Sequence, residues 1–351
     1  MLRKLSNGFK WILWPLSLLY GFITGLRNFI YNLRLKKVYR PTIYTINIGN
    51  LTVGGTGKTP HIEYLIRHLR SYYNLATLSR GYGRKTKGFL QADSQSTAAN
   101  IGDEPLQLYR KFGKDTPIYV CEKRAEGLQR IEKGLQKPEI VLLDDAFQHR
   151  AVCPHLNLLL TDYGRLFYED YLLPMGLLRE SKQGAKRAQA VIVTKCPPRL
   201  SASEKTAIVK KIGAYTREHT PVFFSAFDYA APIPYFDSLP ALTPHSACQL
   251  VSGIAQPFTF EQAASDFFTV MNHSAKGDHH DFTKEEVKRL AETSDKLPVL
   301  TTEKDWVKIK PILEQLSLTN SRFYYWPIQV VFQDTGFEDF ILNEAAKKYR
   351  V

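Results

Sequence analysis

Residues 45–60, TINIGNLTVGGTGKTP, decide how the rest of the chain is interpreted. The β-branched run at 42–48 predicts a buried strand, and the apolar periodicity at 62–69 predicts a helix. A glycine-rich loop between a strand and a helix is typical of a phosphate-binding loop, because its backbone N–H groups and the helix N-terminus attract an anion. The expected cradle consists of Thr52, Val53, Gly54, Gly55, Thr56, Gly57, Lys58 and Thr59. We expect Lys58 to reach the β- and γ-phosphates of a nucleotide and the Thr59 hydroxyl to ligate Mg²⁺.

The match to the usual pattern, G-x-x-x-x-G-K-[ST], is incomplete, because Thr52 stands where that pattern has its first glycine. A glycine-rich turn that merely closes a strand is the alternative interpretation. The flanking strand and helix favour phosphate binding.

The composition and net charge of the chain indicate which classes of protein are possible. The chain has 351 residues, 44% of them apolar and 23% charged, which suits a large globular core in two domains. The four cysteines form no C-x-x-C pair, which argues against a zinc site or a disulfide framework and fits a reducing compartment. The net charge of +13 suggests an anionic partner or simply a basic surface. No nucleic-acid-binding motif is present, so we expect no nucleic-acid partner.

Residues 1–40 predict a basic amphipathic segment that anchors the protein to a membrane. They contain no acidic residue, and an apolar run at 11–23 is rich in Trp, Leu and Ile. That run is shorter than the roughly 18–20 residues needed to span a bilayer, so we expect it to lie in the interface. No signal-peptide cleavage site follows the run, which argues against a signal peptide. A helix packed on the protein's own core remains the alternative.

Paired carboxylates follow two predicted elements. Asp144 and Asp145 end an apolar strand, where an acidic residue of a phosphate-loop enzyme reaches Mg²⁺ or its waters; a helix N-cap is the alternative. Asp103 and Glu104, in the motif GDEP, open a predicted helix, where capping alone would explain them. A further basic loop, SRGYGR, follows the predicted strand at 75–78 and offers a substrate contact or a plain turn.

Repeated strand–helix units predict a mostly parallel sheet covered on both faces, in a domain at 41–227. The proline-rich stretch 228–245 predicts a boundary, and residues 228–351 then form a smaller α/β domain with its linker. That domain is expected to end in a strand at 323–332 and a closing helix at 337–348. In that domain, the segment Asp278-His279-His280-Asp281 could hold a metal ion. A single histidine that acts with a carboxylate in acid–base chemistry is the favoured interpretation.

Taken together, the motifs resemble the tetraacyldisaccharide 4'-kinases of lipid A synthesis over nearly the whole chain. The resemblance rests on GNLTVGGTGKTP, SRGYGR, GDEP, DD-x-FQH, PMGLLRE, DHHDF and TTEKD, in that order. The family shares Thr at the position of Thr52. Departures are Ala146, where the family commonly has Gly, and Lys276-Gly277, where Phe-Pro is usual.

The resemblance implies a monomeric kinase at the cytoplasmic face of the bacterial inner membrane. It would transfer the γ-phosphoryl of ATP, with Mg²⁺, to the 4'-hydroxyl of an acylated glucosamine disaccharide 1-phosphate. The implied fold is a P-loop NTPase-like α/β domain plus a smaller α/β domain, with the active site between them.

Roles for individual residues also follow from the resemblance. Asp103 becomes the candidate base, with His279 as its orienting partner from the other domain, and Lys58 acts on the phosphates. Candidates for the metal and acidic network are Thr59, Glu104, Asp144, Asp145 and Glu180.

Two other classes of protein use similar loops. A membrane-recruited ATPase switch would have its signature lysine at the position of Val53. A regulatory GTPase would need N/T-K-x-D, but the segment Thr194-Lys195-Cys196-Pro197 lacks the aspartate. The sequence therefore favours the kinase.

Overall fold

The computed structural model describes residues 11–347. Arg3, Lys4 and Lys10 of the predicted anchoring segment and Lys348 of the predicted closing helix lie outside these residues. The strands are β1 Tyr44–Asn50, β2 Leu75–Ser79, β3 Leu90–Gln91, β4 Ile118–Val120, β5 Ile140–Asp144, β6 Leu156–Asp162, β7 Ala190–Thr194, β8 Val222–Tyr229, β9 Ile233–Pro234, β10 Ala247–Ser252, β11 Thr269–Ala275, β12 Val299–Thr302, β13 Phe323–Trp326 and β14 Ile328–Phe332. The helices are α1 Trp14–Asn32, α2 Lys58–Leu69, α3 Ala98–Ile101, α4 Asp103–Phe112, α5 Arg124–Lys133, α6 Ala202–Gly213, α7 Pro257–Ser265, α8 Lys284–Ser294, α9 Glu303–Gln315 and α10 Gly336–Ala346.

The chain divides into two compact units. The first comprises the chain up to Arg80, Asp115–Phe227 and the chain from Val330 onward, and the second comprises Gly81–Lys114 and Asp228–Gln329. This division differs from the predicted domains at two places. The chain from Val330, with α10, belongs with the first unit and not with the smaller domain at 228–351, and residues 81–114 belong with the later segment. The reason is packing within the second unit: α4 lies against α9, where Lys111 forms an ion pair with Glu303.

In the first unit, the strands lie in the order β8-β7-β6-β1-β5-β2-β4, and each neighbouring pair is parallel. All seven residues of β1 are buried. The glycine-rich loop leaves β1 at the edge of the sheet where β5, β6 and β7 also end, which is the edge where ligands bind in parallel sheets. The predicted mostly parallel α/β sheet is confirmed.

The second unit contains a smaller sheet in the order β11-β10-β12-β13-β9, parallel except for the last pair. Two sequence predictions were wrong here. The strand expected over 323–332 is interrupted at Pro327, which has no N–H to donate to a sheet ladder. Strand β11 was missed, because Asn272, His273 and Ser274 give it a polar composition and it lies at a partly exposed edge.

Helix α1 turns a polar face towards the first unit and an apolar face outward. Ser17 donates a hydrogen bond to the Leu172 carbonyl (2.8 Å), and Tyr20 donates to the Arg179 carbonyl (2.9 Å). The outward side chains include Leu16, Leu19, Phe22, Ile23, Leu26 and Phe29, each about half exposed or more. The helix therefore packs on the protein mainly through polar side chains, and membrane anchoring by its apolar face stays a prediction. Within residues 11–347, no helix combines the length and the apolar character that crossing a bilayer requires.

Candidate active site

The phosphate loop joins β1 directly to α2, which begins at Lys58. Gly57 has a left-handed backbone (φ +85°), and a Cβ at this position would lie 2.5 Å from the Phe227 ring. A side chain therefore cannot be accommodated without displacing that ring. The turn places Lys58 and Thr59 in the first turn of α2, where backbone N–H groups lack helical partners and bind anions.

The segment PMGLLRE holds the start of this loop. The Val53 amide donates to the Leu177 carbonyl (2.8 Å), and the Arg179 amide donates to the Leu51 carbonyl (2.7 Å). Thr52 is buried and pairs with Leu178 in an isolated antiparallel bridge. This role of the segment could not be predicted from the sequence, because pairing between two irregular segments leaves no periodic pattern.

Asp145 is the carboxylate that faces the loop lysine. It follows β5 with a left-handed backbone (φ 50°), and its carboxylate lies 3.8 Å from the Lys58 ammonium. Arg179 binds the same carboxylate with both terminal nitrogens, at 2.8 and 3.1 Å. Burial alone would raise the pKa of Asp145, but Lys58 and Arg179 outweigh it and lower the pKa to about 2. The group is therefore a carboxylate at any physiological pH.

Asp144 occupies the last position of β5, opposite Ile48 of β1, and is buried. Behind it lies Arg124, whose guanidinium donates to the carbonyls of Asp144 (3.2 Å) and Cys121 (3.0 Å). Burial lowers the pKa of Arg124 to about 10, so it still carries its charge at neutral pH. Its charge also contributes to the lowered pKa of Asp145 at the same strand end.

Glu180, a predicted metal ligand, is bonded by other side chains of the protein. Its carboxylate accepts hydrogen bonds from Arg187 (2.7 Å), Gln148 (3.0 Å) and Asn28 of α1 (3.0 Å). The bond from Asn28 ties α1 to the segment PMGLLRE, which ends at Glu180. The structure brings Lys58 and Asp145 together, but it engages Glu180 in this separate, structural set of contacts.

The second unit brings Asp103 and His279 together. Asp103 begins α4, and His279 lies in the loop after β11 with a left-handed backbone (φ 60°). The Nδ1 atom of His279 lies 3.0 Å from Oδ2 of Asp103. The predicted pair therefore exists, but the prediction that it joins two domains was wrong, since both residues belong to this unit.

Two lysines of α9 complete this cluster. Lys304 Nζ lies 3.1 Å from His279 Nε2 and 3.0 Å from Asp278, and it forms an ion pair with Glu104 (3.4 Å). One turn later, Lys308 Nζ lies 3.4 Å from Asp103. Lys304 belongs to the motif TTEKD, but no local sequence pattern assigns a role to either lysine.

The charges around the pair set its protonation. Burial opposes ionisation of Asp103, but the hydrogen bond from His279 and the charges of Lys308 and Lys304 outweigh it and lower its pKa. The bond to Asp103 raises the pKa of His279, although burial and Lys304 oppose that rise. At neutral pH, Asp103 is therefore a carboxylate that can accept a proton, and the imidazole holds it in place.

The neighbouring His280 is not part of this pair. Its Nε2 atom lies 3.1 Å from Glu286 of α8, in the capping box at the start of that helix. Among residues 11–347, no group of three or more His, Cys, Asp or Glu side chains is arranged to hold a metal ion. The alternative of a metal site at Asp278–Asp281 thus gains no support.

Comparisons with known proteins agree in family. The model of the family described as tetraacyldisaccharide-1-P 4'-kinase matches residues 9–346. A tetraacyldisaccharide 4'-kinase of Flavobacterium psychrophilum is 40% identical over 96% of this chain and 97% of its own length. One of Cytophaga hutchinsonii is 38% identical over 92% of this chain and 91% of its own. The crystal structure of LpxK from Aquifex aeolicus in complex with ATP is 25% identical, with a TM-score of 0.75 over 97% of this chain and 99% of that one.

Proposed function

Because this chain belongs to the tetraacyldisaccharide-1-P 4'-kinase family, we propose that it phosphorylates the 4'-hydroxyl of a tetraacylated glucosamine disaccharide 1-phosphate, using ATP, in lipid A biosynthesis. The observation that carries the proposal is the contact of 3.0 Å between Asp103 and His279 in a chain that also has a phosphate loop. A nucleotide switch has no need of a carboxylate poised to accept a proton from an alcohol, whereas a kinase does.

Nucleotide binding is assigned to the first unit. Lys58, the loop amides and the N-terminus of α2 supply positive charge for the phosphates of ATP. Asp144 and the Thr59 hydroxyl are oxygen donors of the kind that Mg²⁺ prefers, so these residues fit the ion. Asp145 is already bound by both terminal nitrogens of Arg179 and paired with Lys58. When bound, Mg²⁺ neutralises charge that develops on the transferred phosphoryl group. Glu180 is left out of this set, because Arg187, Gln148 and Asn28 engage its carboxylate.

Proton acceptance is assigned to the second unit. As the 4'-oxygen attacks the γ-phosphorus and the bond to the β-phosphate oxygen breaks, the hydroxyl proton passes to a carboxylate oxygen of Asp103. His279 donates its Nδ1 hydrogen to Asp103 and fixes the orientation of the carboxylate. Lys308 keeps that carboxylate ionised before the reaction. A carboxylate with a lowered pKa is a weak base, so its contribution is mainly the correct position of the acceptor oxygen.

Attachment to the membrane is assigned to α1. On its outward face, the side chains of Phe22 and Ile23 are about 69% and 58% exposed. Neighbouring exposed apolar side chains of this kind mark a surface that binds a membrane or another protein. Arg34 and Lys36 follow the end of α1 and suit anionic lipid headgroups, whereas Arg27 donates to the Gln148 carbonyl (2.7 Å). We place the protein at the cytoplasmic face of the inner membrane, where both ATP and an acylated lipid substrate are available. It works there as a monomer, since one chain supplies both the loop and the Asp103–His279 pair.

The test compares ATP turnover with and without the tetraacyl disaccharide 1-phosphate. A kinase releases ADP at an appreciable rate only when the acceptor is present, and each ADP is matched by one phosphorylated lipid. A switch hydrolyses ATP at the same rate without the lipid, and that result would overturn the proposal.

A further inference from the structure

Three consecutive carbonyl groups of the phosphate loop are bonded by side chains. Lys195 Nζ donates to the Gly55 carbonyl (2.5 Å), and Thr194 Oγ1 donates to the Thr56 carbonyl (2.9 Å). His61 Nδ1 lies 2.7 Å from the Gly57 carbonyl. A carbonyl oxygen can only accept, so the hydrogen of this last bond belongs to the imidazole.

Each donor is itself held by a neighbouring strand. Lys195 has a left-handed backbone (φ 56°) directly after β7, and its ammonium also binds Asp162 at the end of β6 (2.8 Å). Thr194 is fully buried as the last residue of β7. His61 is buried in α2, and its Nε2 atom lies 3.0 Å from the Ser225 hydroxyl of β8. Burial lowers the pKa of His61 to about 4, so the imidazole is neutral and keeps one donor and one acceptor nitrogen.

These hydrogen bonds fix the direction in which the N–H groups of the loop point. In a trans peptide the C=O and the N–H point in opposite directions. The bond from Thr194 to the Thr56 carbonyl therefore turns the N–H of Gly57 the other way. The Gly57 carbonyl is held by His61 Nδ1 and also by the helical bond from the His61 amide (3.2 Å), which together turn the N–H of Lys58 the other way. The bonds also keep three partial negative charges away from an incoming phosphate.

We propose that Lys195, Thr194 and His61 form a carbonyl clamp, which holds the phosphate loop in its anion-binding conformation before the nucleotide arrives. These are positioning residues, because they act through the loop and not on the phosphates. The inference rests on the proposed ATP site and adds the residues that preorganise it. It also explains why the segment Thr194-Lys195-Cys196-Pro197 has a lysine but no aspartate. The lysine binds a carbonyl of the phosphate loop, and the segment is not needed to recognise a guanine base.

The experiment measures dissociation constants for ATP and for tripolyphosphate, each with Mg²⁺, by isothermal titration calorimetry. Lys195→Met and Thr194→Val each remove one donor and keep the size of the side chain. We expect both ligands to bind about 10-fold more weakly, since one charge-assisted or buried hydrogen bond contributes roughly one factor of ten. Thr194→Ser retains the hydroxyl and should restore most of the affinity. At saturating ATP, kcat should change by less than about threefold.

A glycine variant separates loop positioning from general stability. Lys195→Gly removes the donor, but it also relieves the left-handed backbone of a non-glycine residue. The melting temperature of the free protein should therefore stay constant or rise, while the affinity for both ligands falls. A loss of affinity that merely accompanies a loss of stability would contradict the clamp.

Matched controls lie in the same unit. Lys205→Met removes a lysine of similar exposure that is paired with Asp334 (2.8 Å), and Thr45→Val removes a buried strand hydroxyl that contacts His155. Both should bind ATP within about twofold of the unaltered protein.

Two results would overturn the clamp. One is unchanged binding of both ligands by Lys195→Met and Thr194→Val. The other is weaker binding of ATP with unchanged binding of tripolyphosphate, which would place Lys195 on the base or ribose. If the unaltered protein bound neither ligand, the proposed ATP site itself would fail.

Discussion

Lys308 neutralises two buried carboxylates, so its removal should be costly. Its side chain is 5% exposed, and its ammonium lies 3.4 Å from Asp103 and 3.7 Å from Asp305, which is fully buried. It also donates to the His280 carbonyl (2.8 Å). At an effective dielectric constant of 20, each ion pair is worth about 5 kcal/mol in attraction, before the cost of removing the charges from water. Lys308→Met should therefore lower the free energy of unfolding by about 3–5 kcal/mol.

Acid should reduce this loss. Burial raises the pKa of Asp305 even with Lys308 present, and removing the lysine raises it further. A carboxyl group whose pKa is raised in the folded state destabilises the fold increasingly as pH rises through that pKa, so protonation at lower pH restores stability. The difference between Lys308→Met and the unaltered protein should shrink as pH falls through the raised pKa of Asp305.

Urea unfolding followed by tryptophan fluorescence measures this difference, because Trp306 lies on the same helix as Lys308. Lys310→Met is the matched control: Lys310 is on the same helix and covers the Phe236 ring, away from these carboxylates. A loss below about 1 kcal/mol, or one equal to that of the control, would refute the assigned role. So would a loss that does not shrink as pH falls.

Three further predictions concern catalysis, membrane binding and acid stability. Asp103→Asn and His279→Ala should each lower kcat by about 10²–10⁴-fold with the KM for ATP little changed, in steady-state assays with the lipid acceptor; an effect confined to KM would remove their roles. Leu19→Ser combined with Phe22→Ser should weaken binding to anionic vesicles at least about 100-fold in a sedimentation assay, because each side chain contributes about 1.5–3 kcal/mol when buried. The control, Val209→Ser, changes an exposed apolar position on α6 and should have no effect. Equal binding by the unaltered protein, the double variant and the control would contradict the role of α1. His61 has a pKa of about 4 in the fold against 6.5 for a free imidazole, so the unfolded chain gains its proton first as pH falls, and stability is lost from about pH 6.5 down to pH 4. In His61→Gln, that acid-induced loss should be smaller by about 3 kcal/mol in urea unfolding, whereas an unchanged pH dependence would show that His61 is not buried in its neutral form.

The central architecture could be predicted from local pattern. The β-branched run, the glycines and the helix after Lys58 are adjacent in sequence, and β1, the loop and α2 appear where that pattern placed them. Asp144 and Asp145 were recognisable for the same reason, since a strand end and its carboxylates are one continuous segment. The pairing of Asp103 with His279 came from the family resemblance and not from spacing.

Features that depend on distant contacts could not be predicted in this way. Lys304 and Lys308 reach Asp103 and His279 because α9 lies against α4, and no sequence period records that contact. For the same reason, nothing local showed that the segment with Asp103 belongs to the same unit as His279. The hydrogen bonds that occupy Glu180 come from three separate segments, so its assignment as a metal ligand could not be checked against the sequence.

The most direct test of the proposed reaction is transfer of label from γ-³²P-ATP to purified tetraacyl disaccharide 1-phosphate. The unaltered protein should place the label on the 4'-position of the lipid, and Asp103→Asn, with its phosphate loop intact, should bind ATP yet transfer almost none. Label that appears only as inorganic phosphate, or equal transfer by the two proteins, would contradict the account.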